Sequence, residues 1–112
     1  MKIESKVVND CTVILVAGRL DGVTAPEAGA AIDKIITVEI RSVIINLKDL
    51  DYISSAGLRL ILAIAKKMKA RRGGLYLCGF KPVVKEIFDI SGFCGMLNMY
   101  GSEEEALLAG KQ

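Results

Sequence analysis

The segment DYISSAGLRLIL, residues 51–62, places Ser54 and Ser55 directly before Ala56, Gly57 and an apolar run that begins at Leu58. Two chemistries fit such a seam. Either serine can serve as a helix N-cap, its oxygen accepting a hydrogen bond from a first-turn N–H. Alternatively, one hydroxyl stands in the open for another protein to modify. A cap alone does not account for Gly57, because glycine inside a helix costs about 1 kcal/mol relative to alanine. Small residues at that point also leave room around a hydroxyl and let a second surface approach. A phosphate on Ser55 would meet free N–H groups and the positive end of a helix dipole. It would add about −1.5 to −2 of charge to an exposed turn without melting the helix.

Other chemistries lack their residues. The 112-residue chain has no histidine, which removes the commonest general base and metal ligand. Cys11, Cys78 and Cys94 are far apart and form no CxxC pair, so buried free thiols in a reducing compartment are expected rather than a zinc or redox site. No G-x-x-x-x-G-K-[ST] loop is present. No catalytic residue, metal or cofactor is therefore expected. The net charge of +2 and the three Tyr, three Phe and no Trp argue against nucleic acid as a partner. The basic run KKMKARR, residues 66–72, reads most simply as cations complementing the C-terminal dipole of a helix. Asp21, beside Gly22, reads most simply as turn chemistry.

The elements that position these residues follow from periodicity. With 52% apolar residues, the chain can bury a core, and its length suits one domain over 1–112. KIESKVV (2–8) and the buried run TVILVA (12–17) form a hairpin about Asn9-Asp10. GRLDG is then a loop, and Thr24 with Glu27 forms a capping box, with Pro26 in the first turn, for a helix over 25–37. SVIINL (42–47) is a central strand, and KDLDYISSAG a loop into a helix over 55–71 stopped by Gly73-Gly74. LYLCG (75–79) is a further strand. Pro82 starts a short helix with Val83, Val84, Ile87 and Phe88 inward, ended by Gly92. MLNMY (96–100) is a last strand, and Ser102 with Glu105 caps a last helix.

The order ββαβαβαβα implies an α/β fold: a small mixed sheet with about four helices, mainly on one face, and right-handed crossovers. At the carboxyl ends of the parallel strands, three loops then converge and bring Asp21, Ser54, Ser55 and Lys81 near one another. Met1 leads into a polar, charged segment and no apolar run approaches the ~20 residues of a membrane span. A cytoplasmic protein without membrane insertion is expected.

Two segments carry a family resemblance. GRLDGVTAPE is similar to the G-x-L-D-x-x-T loop, and DLDYISSAGLRLIL to the D-x-S/D-S-x-G-L segment, of the STAS-domain anti-sigma factor antagonists. The resemblance spans essentially the whole chain and implies a single STAS domain. It implies a partner switch: the unphosphorylated antagonist captures a GHKL-type serine kinase that doubles as an anti-sigma factor and so frees the sigma factor. The kinase phosphorylates the antagonist to release it, and a phosphatase resets the system. By motif position the acceptor is Ser55, with Ser54 the alternative. The partner-facing set is Asp21, Thr24, Ser54, Ser55, Ala56, Gly57 and Leu58. One departure is Ser54, where the best-studied antagonists carry Asp. The family also admits a constitutive adaptor, for instance a subunit of a lipid-transporting ABC system, in which the serines only start a helix.

Overall fold

Three largely buried strands form the middle of one sheet, two of them rich in β-branched residues. They are β2 (Cys11–Leu20), β3 (Ser42–Asn46) and β5 (Gly74–Cys78). A computed structural model places them side by side and parallel, Val13 opposite Ile44 and Ile44 opposite Tyr76. It describes residues 1–111, except the side chain of Cys94, whose expected burial lies outside the described part. Every residue of β3 is buried. Strand β1 (Lys2–Val8) pairs antiparallel with β2 through Asn9 and Asp10, both at positive φ, the two-residue turn that suits strand twist. A short edge strand follows a 3-10 turn (Cys94–Met96), so the sheet runs β1-β2-β3-β5-β6, with β6 at Asn98–Tyr100.

One strand falls inside the segment read as a loop. Residues Leu50–Ile53 form β4 and pair parallel with the second half of β2, Gly18 opposite Leu50 and Leu20 opposite Ile53. The order is thus ββαββαβαβα, one strand longer than the sequence pattern suggests. Strand β2 pairs with β3 as far as Leu15 and with β4 from Gly18 on; the β4 pairing has an irregularity directly after Gly18, whose φ of +101 is a conformation glycine supplies.

The helices are α1 (Ala25–Ile35), α2 (Ser55–Ala70), α3 (Pro82–Ser91) and α4 (Glu103–Gly110). The first three cover one face, over a core that includes Ile14, Leu20, Ile32, Ile61, Met68 and Phe88. The helices therefore lie mainly on one face, in line with the sequence expectation. Helix α4 covers the other face, with Ala106 against Cys11, Val13, Ile44 and Cys78. Central strands buried on both faces need a cover on both. The inward placing of Val83 is corrected: it is half exposed, because Val84, Ile87 and Phe88 already define the inward stripe of α3.

Helix α2 does not end on a left-handed glycine. The Gly73 N–H bonds to Met68 O at 2.8 Å and the Arg72 N–H to Lys69 O at 3.0 Å, the Schellman pattern, with Arg72 at φ 61 in the position that favours glycine. Gly73 is required for a different reason: a Cβ there would lie 2.1 Å from Arg41 O.

Burial, and to a smaller extent Glu103, pushes the Cys78 thiol up to about 11. The neutral thiol is the form the core accepts. Its contribution is complete below the ordinary cysteine range and is lost as pH rises through the folded value. Urea midpoints should therefore fall between about pH 9 and 11, and less steeply in Cys78→Ala; an identical slope would show that Cys78 is not responsible. Arg72→Gly should raise stability by about 0.5–1 kcal/mol, the left-handed penalty less the added chain entropy, in the same urea assay.

Candidate functional site

The β2–β4 pairing brings the two motif segments together. Leu20 and Ile53 are opposite one another, so Asp21 and Ser54 are the first residues beyond adjacent strand ends. The Ser54 N–H extends the ladder by one bond, to Leu20 O at 2.9 Å. Ser54 is extended (φ −99, ψ 177), and its carbonyl accepts the first helical bond, from Leu58 N–H at 2.9 Å. Its Oγ accepts from Gly57 N–H at 3.4 Å. Ser54 is thus the N-cap of α2. Ser55 is the first helical residue, exposed, and its hydroxyl makes no hydrogen bond among the described residues.

The small residues have a packing cause. Gly57 is buried, and a Cβ on it would lie 2.7 Å from both Leu20 O and Ile53 Cγ1. The expectation that Gly57 clears space around the hydroxyl is therefore corrected: it clears space for β2 and β4. Leu58 is buried in the same core and Ala56 is half-buried against it. These three residues set the position of the helix end; Ser55 is the one presented to solvent.

The loop at Asp21 is also corrected. Thr24 makes no side-chain cap to α1, and Pro26 removes one of the N–H groups such a cap would use. The reciprocal box lies three residues earlier. Asp21 Oδ1 accepts from Val23 N–H at 3.0 Å and Thr24 N–H at 3.1 Å, while the Asp21 N–H donates to Thr24 Oγ1 at 2.9 Å. The Thr24 hydroxyl donates to Arg19 O at 2.7 Å. The Thr24 and Val23 N–H groups hold the Asp21 carboxyl below its ordinary pKa, helped by Arg19 and opposed by slight burial. Asp21 is therefore a fixed, ionised carboxylate beside the serine seam.

Three residues not singled out in the sequence complete this surface. The Arg19 guanidinium lies 4.5 Å from the centre of the Tyr52 ring, and its Nε 3.9 Å from Asp21 Oδ2. Asp51 forms an ion pair with Lys81. Lys81 thus reaches the strand edge, but its partner is Asp51 rather than Asp21 or a serine. All three lie within the two motif segments, but only the β2–β4 pairing sets Arg19 beside Tyr52, so their place in the surface was hidden with that strand. Between α2 and α3 runs a shallow groove of about 290 Å³ lined by Tyr52, Ser54, Ser55, Leu58, Ile87 and Ile90. Ile90 is 77% exposed. A larger hollow of about 620 Å³, between the β1–β2 turn and the end of α4, is lined by Asn9, Asp10, Glu104 and Lys111 and is separate from the serines. Among the described residues no group of three or more His, Cys, Asp or Glu is placed to hold a metal, and no helix is long and apolar enough to cross a membrane.

Fold and site together define a small α/β domain that presents a serine hydroxyl at a solvent-facing helix start. The STAS domain model matches residues 2–106, and the chain belongs to the STAS-domain family. It is 35% identical over 111 residues to BtrV of Bordetella bronchiseptica, provisionally named an anti-sigma factor antagonist, covering 99% of this chain and 96% of that one. Its fold is similar to that of an anti-sigma factor antagonist from Mycobacterium paratuberculosis, with TM-score 0.90, 22% identity and coverage of 99% and 94%. It is also similar to the Bacillus cell fate determinant SpoIIAA in its phosphorylated form, with TM-score 0.70, 24% identity and coverage of 96% and 98%.

Gly57→Ala should destabilise the fold by about 1–3 kcal/mol through forced separation of α2 from β2 and β4. Ser54→Ala should lose about 0.5–2 kcal/mol as the cap is removed, and Ser55→Ala should be nearly neutral. Urea unfolding of the three variants checks this order. A neutral Gly57→Ala would show that the helix end is not held by that approach.

Proposed function

We propose that this protein is an anti-sigma factor antagonist that captures a GHKL-type serine kinase acting as an anti-sigma factor, and that phosphorylation of Ser55 by that kinase ends the complex. The observation that carries the reading is the division of labour between the two hydroxyls. Ser54 is committed to the helix cap, whereas Ser55 is exposed and uncommitted. Modification of Ser55 leaves the cap in place.

The local electrostatics favour a phosphate on the folded helix. The first turn of α2 contains no acidic residue. Its N–H groups and dipole favour an anion by about 0.3–1 kcal/mol, and exposed Arg59 lies one turn on, at the i+4 position. The modified domain therefore keeps its fold, and what changes is the sign of the surface a partner meets. That surface comprises the Ser55 hydroxyl, fixed Asp21, Arg19 on Tyr52, and Ile90. Placing about two negative charges there opposes a partner already matched to Asp21. Ser54 caps the helix with a neutral oxygen, so no carboxylate stands directly before Ser55. Hydrolysis by a phosphoserine phosphatase would restore the binding surface, and the cycle would run in the cytoplasm.

The test uses wild type, Ser55→Ala and Ser55→Asp as parallel baits in lysate of the source organism, followed by calorimetry with the purified kinase. Wild type and Ser55→Ala should hold the kinase, and Ser55→Asp should bind at least about 30-fold more weakly, a loss of about 2 kcal/mol. Thermal unfolding of Ser55→Asp should be unchanged or slightly raised. Equal kinase binding by all three, or a transporter ATPase retained equally by all three, would contradict the switch and favour the constitutive adaptor.

A further inference from the structure

The basic run at 66–72 takes no part in the Ser55 surface, and the fold gathers more cations around it. Helices α1 and α2 end at the same pole. Lys67 Nζ lies 3.1 Å from Asp33 Oδ1, Arg71 Nη1 donates to Thr37 O at 2.8 Å, and the Gly74 N–H bonds Arg41 O at 2.9 Å. Residues 33–41 and 66–72 together carry seven lysines and arginines against two carboxylates, a local net of +5. With +2 for the whole chain, the remainder carries −3. Lys67 and Arg71 have partners, whereas exposed Lys34, Arg41, Lys66, Lys69 and Arg72 form no ion pair among the described residues. The helix dipole accounts for cations in the last turn of α2 but not for Arg41, which precedes β3. Arg72 adds a second observation. It holds a left-handed backbone (φ 61) at a cost of about 1 kcal/mol relative to glycine, and no ion pair among the described residues offsets that cost.

We propose that this pole docks the protein on an anionic lipid surface. The two segments contain no aromatic residue on which bases could stack. Their cations are spread over two helix ends and a loop rather than along one helix face that could enter a groove. Apolar side chains project beside them. Val38 in the α1–β3 loop is 82% exposed. Met96 is 60% exposed and shares a shallow hollow of about 330 Å³ with Lys69 and Gly73. Cations around protruding apolar tips match a headgroup layer over hydrocarbon. Each cation near such a surface contributes about 1 kcal/mol, so five unpaired ones give reversible, salt-sensitive attachment. Ser55 begins α2 and the cations end it; the 16 residues span about 24 Å, in a domain measuring 31 × 26 × 23 Å. Docking at this pole leaves Ser55 facing away from the lipid.

The test is co-sedimentation of the whole chain with vesicles of equal parts phosphatidylcholine and phosphatidylglycerol, or of phosphatidylcholine alone, at about 50 and about 300 mM salt. Wild type should bind only the anionic vesicles and release at high salt. Ser55→Asp should bind as wild type, which separates this inference from the switch. Lys66→Gln/Lys69→Gln/Arg72→Gly should partition about 100-fold less, at about fivefold per cation. Arg72→Gly alone relieves backbone strain, so it keeps the fold while still losing about fivefold. Wild type left in the supernatant with anionic vesicles at low salt, undiminished binding by the triple variant, or binding of a random single-stranded oligonucleotide without vesicle binding would each overturn the proposal.

Discussion

The approach of Gly57 to the ends of β2 and β4 governs the geometry of this molecule at its exposed serine. A single Cβ there would come within 2.7 Å of the Leu20 carbonyl oxygen and of Ile53. With that atom absent, the first turn of α2 can sit directly on the strand ends. The Ser54 N–H then reaches Leu20 O, the Ser54 carbonyl receives the first helical bond, and its hydroxyl turns back to cap Gly57. Once Ser54 is used in this way, the next side chain has to leave the surface. The exposure of Ser55 is thus a consequence of packing two residues further on. Protein interiors tolerate little change of volume, so the backbone at Ser55 is held in place although its hydroxyl forms no hydrogen bond among the described residues.

Much of this was legible in the sequence, and the gaps have physical causes. TVILVA, SVIINL and LYLCG read as buried strands because parallel strands covered on both faces lose the alternation of half-exposed ones. Burial on both faces requires a helix on each. The cover on the second face is α4, whose buried residues, Ala106 and Gly110, are small and give a weak apolar stripe, so the sequence does not tell which face it takes. Strand β4 was hidden because LDYI is four residues long and lies between two stretches of turn chemistry. Its discovery changes the site most: it turns two separate motifs into adjacent strand ends and adds Arg19, Asp51 and Tyr52. The capping box at Thr24 and Glu27 matched a valid pattern, but Asp21 and Thr24 satisfy the same pattern one turn earlier, and Pro26 decides between them.

Charge is segregated along α2 in a way no overall composition reveals. Its N-terminal end has no carboxylate in the first turn and an exposed hydroxyl, which makes it a place where added negative charge is tolerated by the fold and felt by a partner. Its C-terminal end lies in a pole of net +5. A helix with both ends matched in this way would stay folded with a phosphate at its first residue. Control can then act on what binds the surface, leaving folding untouched, as befits a domain whose core reaches right up to the residue it presents.

The most direct measurement is site-resolved mass spectrometry of the chain after incubation with ATP and the kinase proposed to bind it, for wild type and for Ser54→Ala. Phosphate is expected on Ser55 in both, because Ser54 only caps the helix. Phosphate on Ser54, or its loss from Ser55 in a folded Ser54→Ala, would contradict the switch at Ser55.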